Sequence, residues 1–380
     1  MHLNSKLPGI GTTIFTVMSQ LANQYQAINL SQGFPDYECS PELVELVNRY
    51  MKTGYNQYAP MAGVLSLRER ISEKQEKLHG AKYDPQNEIT ITAGGTQAIF
   101  ASVACVIRPG DEVIIFEPAY DSYAPSVNLF GGVIRSVELS APDYTTNWTD
   151  VEKLINDKTR MIILNTPNNP TGKTLTENDL SELIRITRDK DILLISDEVY
   201  EHLVYDGKQH LSLSGFPELK EKSFITASFG KLFHTTGWKV GYCLAPRWLM
   251  SEFRKVHQYE VFSVNSAVQY AIAGFMENER NYLDVSDFFQ MKKDFFYNLM
   301  KETRFDLLPC YGSYFQSVQY SRISNEKDTD LAMRIIKEFG VAGIPVSAFY
   351  SKGTDHKVLR FCFAKKQETL EKAVSRLAKV

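Results

Sequence analysis

Short apolar runs recur along the chain, each closed by turn residues: EITIT (88–92), EVIIF (112–116), MIILN (161–165), ILLIS (192–196) and SFITAS (223–228). Runs that are apolar almost throughout predict strands buried on both faces. Helical spacing fills the stretches between some of them. SPELVELVNRYMKT places Ser40 at an N-cap and Pro41 at the first helical position, and Leu43, Val44, Val47 and Met51 then recur at helical intervals. TQAIFASVACVI and ENDLSELIRITRDK predict two more helices. The alternation predicts an α/β domain with a largely parallel sheet. The last hundred residues or so have a different texture: a long helical stretch near 279–304, YFQSVQY, a helix near 328–339, VAGIPVSAF, VLRFCFA and a terminal helix. They predict a second, smaller α+β unit.

Composition narrows the class. The chain has 380 residues, 43% of them apolar and 23% charged, which excludes disorder, collagen and coiled coil. Lys+Arg number 42 and Asp+Glu 45, a formal net charge of −3 with no basic run, so nucleic acid is not the expected partner. No apolar stretch approaches the ~18 residues of a membrane-spanning helix. The five cysteines, Cys39, Cys105, Cys243, Cys310 and Cys362, are scattered and form no CxxC pair, so neither a disulfide framework nor a structural zinc site is expected. The N-terminal MHLNSKLPGIGTTIF lacks the apolar core of a secretory signal. The expectation is a reduced, cytoplasmic enzyme or binding protein.

In a parallel α/β sheet, ligands bind beyond the carboxyl ends of the strands. After EITIT comes Ala93-Gly94-Gly95-Thr96 and a helix, which suits either an anion held on backbone N–H groups or a plain tight turn. After EVIIF, Tyr120 of EPAYDSY is either a stacking face for a planar ligand or a rim tyrosine. After MIILN, Asn165, Asn168 and Asn169 alternate with Pro167 and Pro170 in a rigid polar turn. Its tail Gly172-Lys173-Thr174 mimics a P-loop, but Pro167 stands where the first glycine belongs. Gly9-x-Gly11 likewise lacks the third glycine and the preceding strand of a dinucleotide fingerprint. After ILLIS, Asp197 of DEVY is either a helix cap or a buried acid that needs a cation or a strong donor, with Tyr200 three residues on. After SFITAS, Ser228 and Lys231 sit in a small-residue turn, and Lys239 of GWKVG enters a further strand. A lysine there either reaches solvent or does chemistry once desolvation lowers its pKa. Together these groups offer an imine-forming amine, an acid to oppose a ring nitrogen, a stacking aromatic and a phosphate cradle. Their order and placement fit one ligand, pyridoxal phosphate.

TPNNPTG, SDEVY, SFGK and GWKVG in series, with LSQGFPD (30–36) and LRFCFA (359–364) near the ends, resemble the fold-type I pyridoxal-phosphate aminotransferases of class I. The branch is that of the methionine, aromatic and kynurenine enzymes, and the resemblance covers essentially the whole chain. It implies a three-layer α/β/α large domain with a mostly parallel sheet over 41–285, and a smaller α+β domain from 1–40 and 286–380. It implies that Lys231 holds the cofactor and acts as acid and base, that Asp197 pairs with the pyridine nitrogen, and that Tyr200 and Asn169 bind the 3′ oxygen. Tyr120 would stack on the ring. Gly95, Thr96, Ser228 and Lys239 would hold the phosphate, joined by Tyr58 of the partner subunit in a homodimer. Arg360 would clamp the substrate α-carboxylate, helped by the Gly33 N–H and Asn169. One departure is Lys239, where many class I enzymes carry arginine; lysine keeps the charge without the fork, and it marks the kynurenine and methionine branch.

Enzymes for dicarboxylic amino acids add a partner-subunit arginine for the distal carboxylate, just before the segment corresponding to VFSVN, and KVHQYEVFSVNSAVQY (255–270) contains none. Tyr259, Phe262 and Asn265 stand there, and with Phe15, Phe34 and Tyr314 they suggest an apolar, aromatic pocket. The expected reaction is ping-pong transfer of the α-amino group of methionine, Phe/Tyr/Trp or kynurenine to a 2-oxo acid. A cysteine-conjugate β-lyase on the same fold is the alternative, since it shares the first steps. Ser228-x-x-Lys231 also mimics a serine acyltransferase, but Lys52-Thr53-Gly54 precedes it and SDE replaces SDN. A regulator with an aminotransferase-like domain would need an added DNA-binding region, for which the residues before the first placed helix leave no room.

Overall fold

The computed structural model describes residues 4–380. A short strand β1 (Ile28–Asn29) precedes a seven-stranded sheet made of β2 (Ile89–Thr92), β3 (Glu112–Glu117), β4 (Val133–Glu138), β5 (Thr159–Asn165), β6 (Leu193–Asp197), β7 (Ser223–Ser228) and β8 (Gly241–Leu244). Their order is β2-β8-β7-β6-β5-β3-β4. Neighbours from β7 to β4 run parallel, whereas β8 runs antiparallel to both β7 and β2. The apolar runs are buried on both faces as the pattern requires. Ile114, Ile162, Leu164, Leu194 and Ile225 feed one core; Val113, Ile115, Met161, Ile163 and Ile195 feed the other. Helices cover both, which is the physical reason a parallel sheet can afford so few polar residues.

Strand β4 is not predicted by the apolar runs. It is one of the two edge strands, its residues alternate between exposed and half-buried, and only Val137 is buried. A strand packed on one face carries half the apolar signal.

The remaining strands are β9 (Asp306–Leu307), β10 (Phe315–Gln319), β11 (Val341–Ala342), β12 (Ile344–Pro345) and β13 (Val358–Cys362). β12-β13-β10-β9 form an antiparallel sheet, and β1 pairs in parallel with β11. Residues near the N-terminus are thereby tied to the C-terminal strands.

Five helices come first: α1 (Ile14–Gln24), α2 (Pro41–Lys52), α3 (Leu65–His79), α4 (Gly95–Val106) and α5 (Tyr123–Leu129). α2 starts at Pro41 with Ser40 at the cap position, but the serine side chain makes no capping bond. Of its apolar stripe only Leu43 is buried, while Val44 and Met51 are exposed. Among the described residues no helix is long and apolar enough to cross a membrane.

Candidate functional site

Beyond the carboxyl ends of β5, β6 and β7 lies a cavity of about 370 Å³, within the range of small-molecule sites. Every residue assigned from the sequence to the cofactor or to the substrate α-carboxylate borders it except Tyr58. Tyr58 is 82% exposed and packs edge-on against Phe262 beside a separate hollow lined by Met51, Tyr55 and Asn265. Tyr259 is 91% exposed, and neither it, Phe262, Asn265 nor Phe34 borders the cavity. Asn265 instead caps the helix Ser266–Phe275, accepting from the Val268 N–H at 3.0 Å. Phe15 does border the cavity, and Tyr314 lies buried behind it.

One end of the cavity is built for an anion. The first turn of the twelve-residue helix α4 presents Gly95 and Thr96, and Ser228 and Lys239 stand nearby. Unpaired N–H groups and the helix dipole favour negative charge there. Glycine is required at 95 because a Cβ would lie 2.8 Å from the Val199 side chain. Lys239 sits in the left-handed region, φ +55°, an unusual place for a residue with a side chain.

The turn after β6 sorts its side chains to opposite sides. Asp197 and Tyr200 face the cavity. Glu198 turns away, accepting from Ser196 Oγ at 2.7 Å and lying 2.8 Å from His210 Nε2. Glu201 pairs with the fully buried Lys74 and accepts from the Tyr242 hydroxyl at 2.7 Å. Removing one partner of such a buried pair costs about 3–5 kcal/mol, so these contacts pin the turn from behind.

Asp197 is 3% exposed and, among the described residues, forms no salt bridge. Its Oδ2 accepts from the Tyr123 hydroxyl at 2.5 Å and its Oδ1 from the Val199 N–H at 3.2 Å. Burial raises its pKa to about 6, against the two hydrogen bonds, which lower it. Lys231 follows β7 on a single helical turn, Phe229–Leu232. Its Nζ donates to the Gly33 carbonyl at 2.9 Å and sits 5.6 Å from the Tyr200 ring centre and 5.3 Å from that of Tyr314. Burial lowers this amine to about 8, and the nearby charges of Arg360 and Lys239 also lower it. A neutral, nucleophilic amine is therefore reached well below the ordinary lysine range.

Arg360, at the centre of β13, is fully buried. Its Nη1 donates to Asn169 Oδ1 at 2.6 Å and its Nη2 to the Ser31 carbonyl at 2.7 Å, while Nε has no partner. The guanidinium lies 3.8 Å over the Phe315 ring, a cation–π contact that holds it flat. Phe315 also sets the backbone at Gly33, where a Cβ would meet its ring at 2.7 Å. Sequence reasoning missed Phe315, Gln32 and Tyr123. YFQSVQY reads as a strand with no sign of what its aromatics face, and Tyr123 reads as one more residue of EPAYDSY.

Comparisons with known proteins place the whole chain in one family. The model of the family "Aminotransferase class I and II" matches residues 25–377. A methionine aminotransferase of Escherichia coli (strain K12) is 46% identical over 374 residues, covering 98% of this chain and 97% of its own. Kynurenine–oxoglutarate transaminase 1 of Mus musculus is 32% identical over 409 residues, covering 98% of this chain and 96% of its own. The solved structure of YbdL from Escherichia coli, identified as having a methionine aminotransferase function, superposes with a TM-score of 0.98 at 45% identity over 100% of both chains. With the family model spanning most of its length and a methionine aminotransferase nearly half identical along all of it, the chain belongs to the class I and II aminotransferases and is a transaminase.

Proposed function

We propose that this transaminase uses pyridoxal 5′-phosphate to move the α-amino group of neutral apolar, sulfur-containing or aromatic L-amino acids to a 2-oxo acid. The residues fit that cofactor. Its phosphate suits the α4 N-terminus with Thr96, Ser228 and Lys239, and its ring face suits Tyr120. The buried Asp197 carboxylate, which meets only a phenol and an amide, suits a cationic ring nitrogen. Tyr200 and Asn169 suit the 3′ oxygen, and the Lys231 amine suits the aldehyde. Bound there, pyridoxal phosphate supplies an aldehyde that takes up amino groups and a ring that stores the electron pair left when the Cα–H bond breaks.

The chain's own residues do the rest. Arg360 binds the α-carboxylate of the amino acid, with Asn169 and Ser31 holding its guanidinium in place. The observation that carries the substrate reading is the cavity's set of cations: Lys231, Lys239 and Arg360. Two are given to the cofactor, so this chain leaves one guanidinium for one carboxylate. Phe15 and Phe315 line the substrate side, which favours a neutral side chain. Lys231 Nζ takes the Cα proton once it is free and neutral. The names of the Escherichia coli and mouse relatives support this class.

A donor panel tests it. With purified enzyme and a saturating 2-oxo acid, methionine, phenylalanine and kynurenine are expected to exceed aspartate in kcat/KM by about tenfold or more, the range a mismatched charged group costs. Aspartate ahead of methionine and phenylalanine by the same factor would overturn the substrate reading. The amine gives a pH test. Capture of pyridoxal phosphate by cofactor-free protein is expected to quicken as pH rises to about 8, where Lys231 becomes neutral, and then to level off. A rate still climbing steadily at pH 10 speaks for an unperturbed lysine.

The same reading makes the enzyme a homodimer in which Tyr58 of the partner subunit completes the phosphate site. The exposed Val44, Met51, Tyr58 and Tyr259 support it, as large apolar side chains awaiting cover. The five cysteines are free thiols, which supports a reducing, cytoplasmic location.

A further inference from the structure

Asp197 is the least comfortable group in the cavity wall: a carboxylate at 3% exposure whose nearest donors are a phenol and a backbone amide. We infer that Tyr123 is a positioning residue for Asp197, its hydroxyl holding the carboxylate ionised and turned toward the ring nitrogen of the proposed cofactor. The inference rests on the cofactor reading above and adds a residue outside the cavity to it.

Three observations carry it. Tyr123 is 3% exposed and borders not this cavity but a separate small hollow beside Trp148 and Lys173, and its hydroxyl is given to Asp197. It donates to Oδ2 at 2.5 Å, while the Val199 N–H donates to Oδ1 at 3.2 Å. One donor on each oxygen fixes the carboxylate plane, because rotation about its last torsion would break both bonds. The phenol is also anchored, since it stands on α5 with its ring edge-on to Tyr120 at 5.7 Å between centres. A tyrosine hydroxyl pinned this way cannot follow the carboxylate elsewhere.

The other groups facing Asp197 do not substitute for it. Glu198, its chain neighbour, pushes the carboxylate toward its neutral form, and Lys231 pulls the other way from the turn after β7. Tyr120 and Tyr200 border the same cavity without bonding to the carboxylate. Thr226 pairs with Asp197 across β6 and β7, and its hydroxyl has no partner. Asn165 on β5 donates to the Asp197 backbone carbonyl at 2.9 Å, not to the side chain. Within this set Tyr123 is the sole side-chain hydrogen bond to the carboxylate. A hydrogen bond to a charged group is worth more than a neutral one, and losing it leaves the charge both buried and underserved.

Equilibrium binding of pyridoxal 5′-phosphate to cofactor-free protein, followed by absorbance from pH 4.5 to 8.5, reads the effect without turnover. Titrations common to all variants, including that of the ligand's own phosphate, cancel when each variant is compared with the parent. Tyr123→Phe is expected to weaken binding near neutral pH by about tenfold and to move the acid-side midpoint upward by up to about one pH unit. Placing 3-fluorotyrosine at position 123, an isosteric and stronger donor, is expected to move the same midpoint downward. Opposite shifts from two changes at one position are what loss of packing does not produce. If Tyr123→Phe fails to fold, the fluorinated protein decides alone. A midpoint unmoved by fluorination, or moved upward by both changes, overturns the role of Tyr123. Failure of the parent protein to bind pyridoxal phosphate at all is a separate result and removes the cofactor reading instead.

Discussion

Lys231→Ala is expected to lose turnover by at least about ten-thousandfold, because the proposed role asks one group both to hold the cofactor and to move the Cα proton, and general acid–base catalysis alone supplies up to about 10⁴. The variant also takes no covalent label when borohydride is added in the presence of pyridoxal phosphate, whereas the parent does. Substrate binding through Arg360 survives, since its contacts with Asn169 and Ser31 do not involve the lysine. The fold survives too. Burial lowers the Lys231 amine to about 8, so below that pH the folded protein carries a charge it holds less readily than the unfolded chain does. That is a cost to folding at neutral pH, and alanine removes it. The ligand-free variant should therefore melt at or above the parent's temperature in neutral buffer. A variant that retains full turnover refutes the assignment, and one that unfolds well below the parent refutes the account of its burial.

Asp197→Asn is the second large effect. Turnover is expected to fall by about a hundredfold or more, the scale on which a preorganised charge facing a reacting group matters. The amide keeps the shape and an acceptor for Tyr123 but cannot hold a cationic ring nitrogen by charge. Stability moves the opposite way. In the ligand-free fold burial raises the Asp197 pKa from 3.8 to about 6, so the folded state binds more protons than the unfolded chain between those values. Folding stability therefore falls as pH rises through that window, by a sum on the order of 3 kcal/mol, and the loss persists at neutral pH. Asparagine abolishes it, so the ligand-free variant should resist denaturant better than the parent at pH 7 and equally at pH 4. An acid kept where it weakens the fold is expected of a catalytic site. Near-normal turnover in this variant would remove the electron-storing role of the ring nitrogen.

Much of this site is legible in one dimension for a definite reason. A strand covered on both faces must be apolar throughout, so its polar successor marks the strand's end, and strand ends are where a parallel sheet binds ligands. Asp197 after ILLIS, Lys231 after SFITAS and Asn169 after MIILN all announce themselves this way, and each borders the cavity. Arg360 does not. It lies in the middle of a buried strand of the smaller sheet, where only likeness to a family motif singles it out.

What local pattern settled about this protein is therefore its class of sheet and which polar residues stand at the sheet's carboxyl edge, because both follow from which residues neighbour one another along the chain. Tertiary structure alone decided the rest. It brought Tyr123 to Asp197, 74 residues away, and Arg360 to Asn169, 191 residues away. It laid Phe315 under the guanidinium, made VIRSVE an edge strand, and left Val44 and Met51 of a regular helical stripe facing outward. Helical and strand periodicity specify which side of an element is apolar, but not what that side will meet. The partner is chosen by packing among distant elements, and that choice has no period to read.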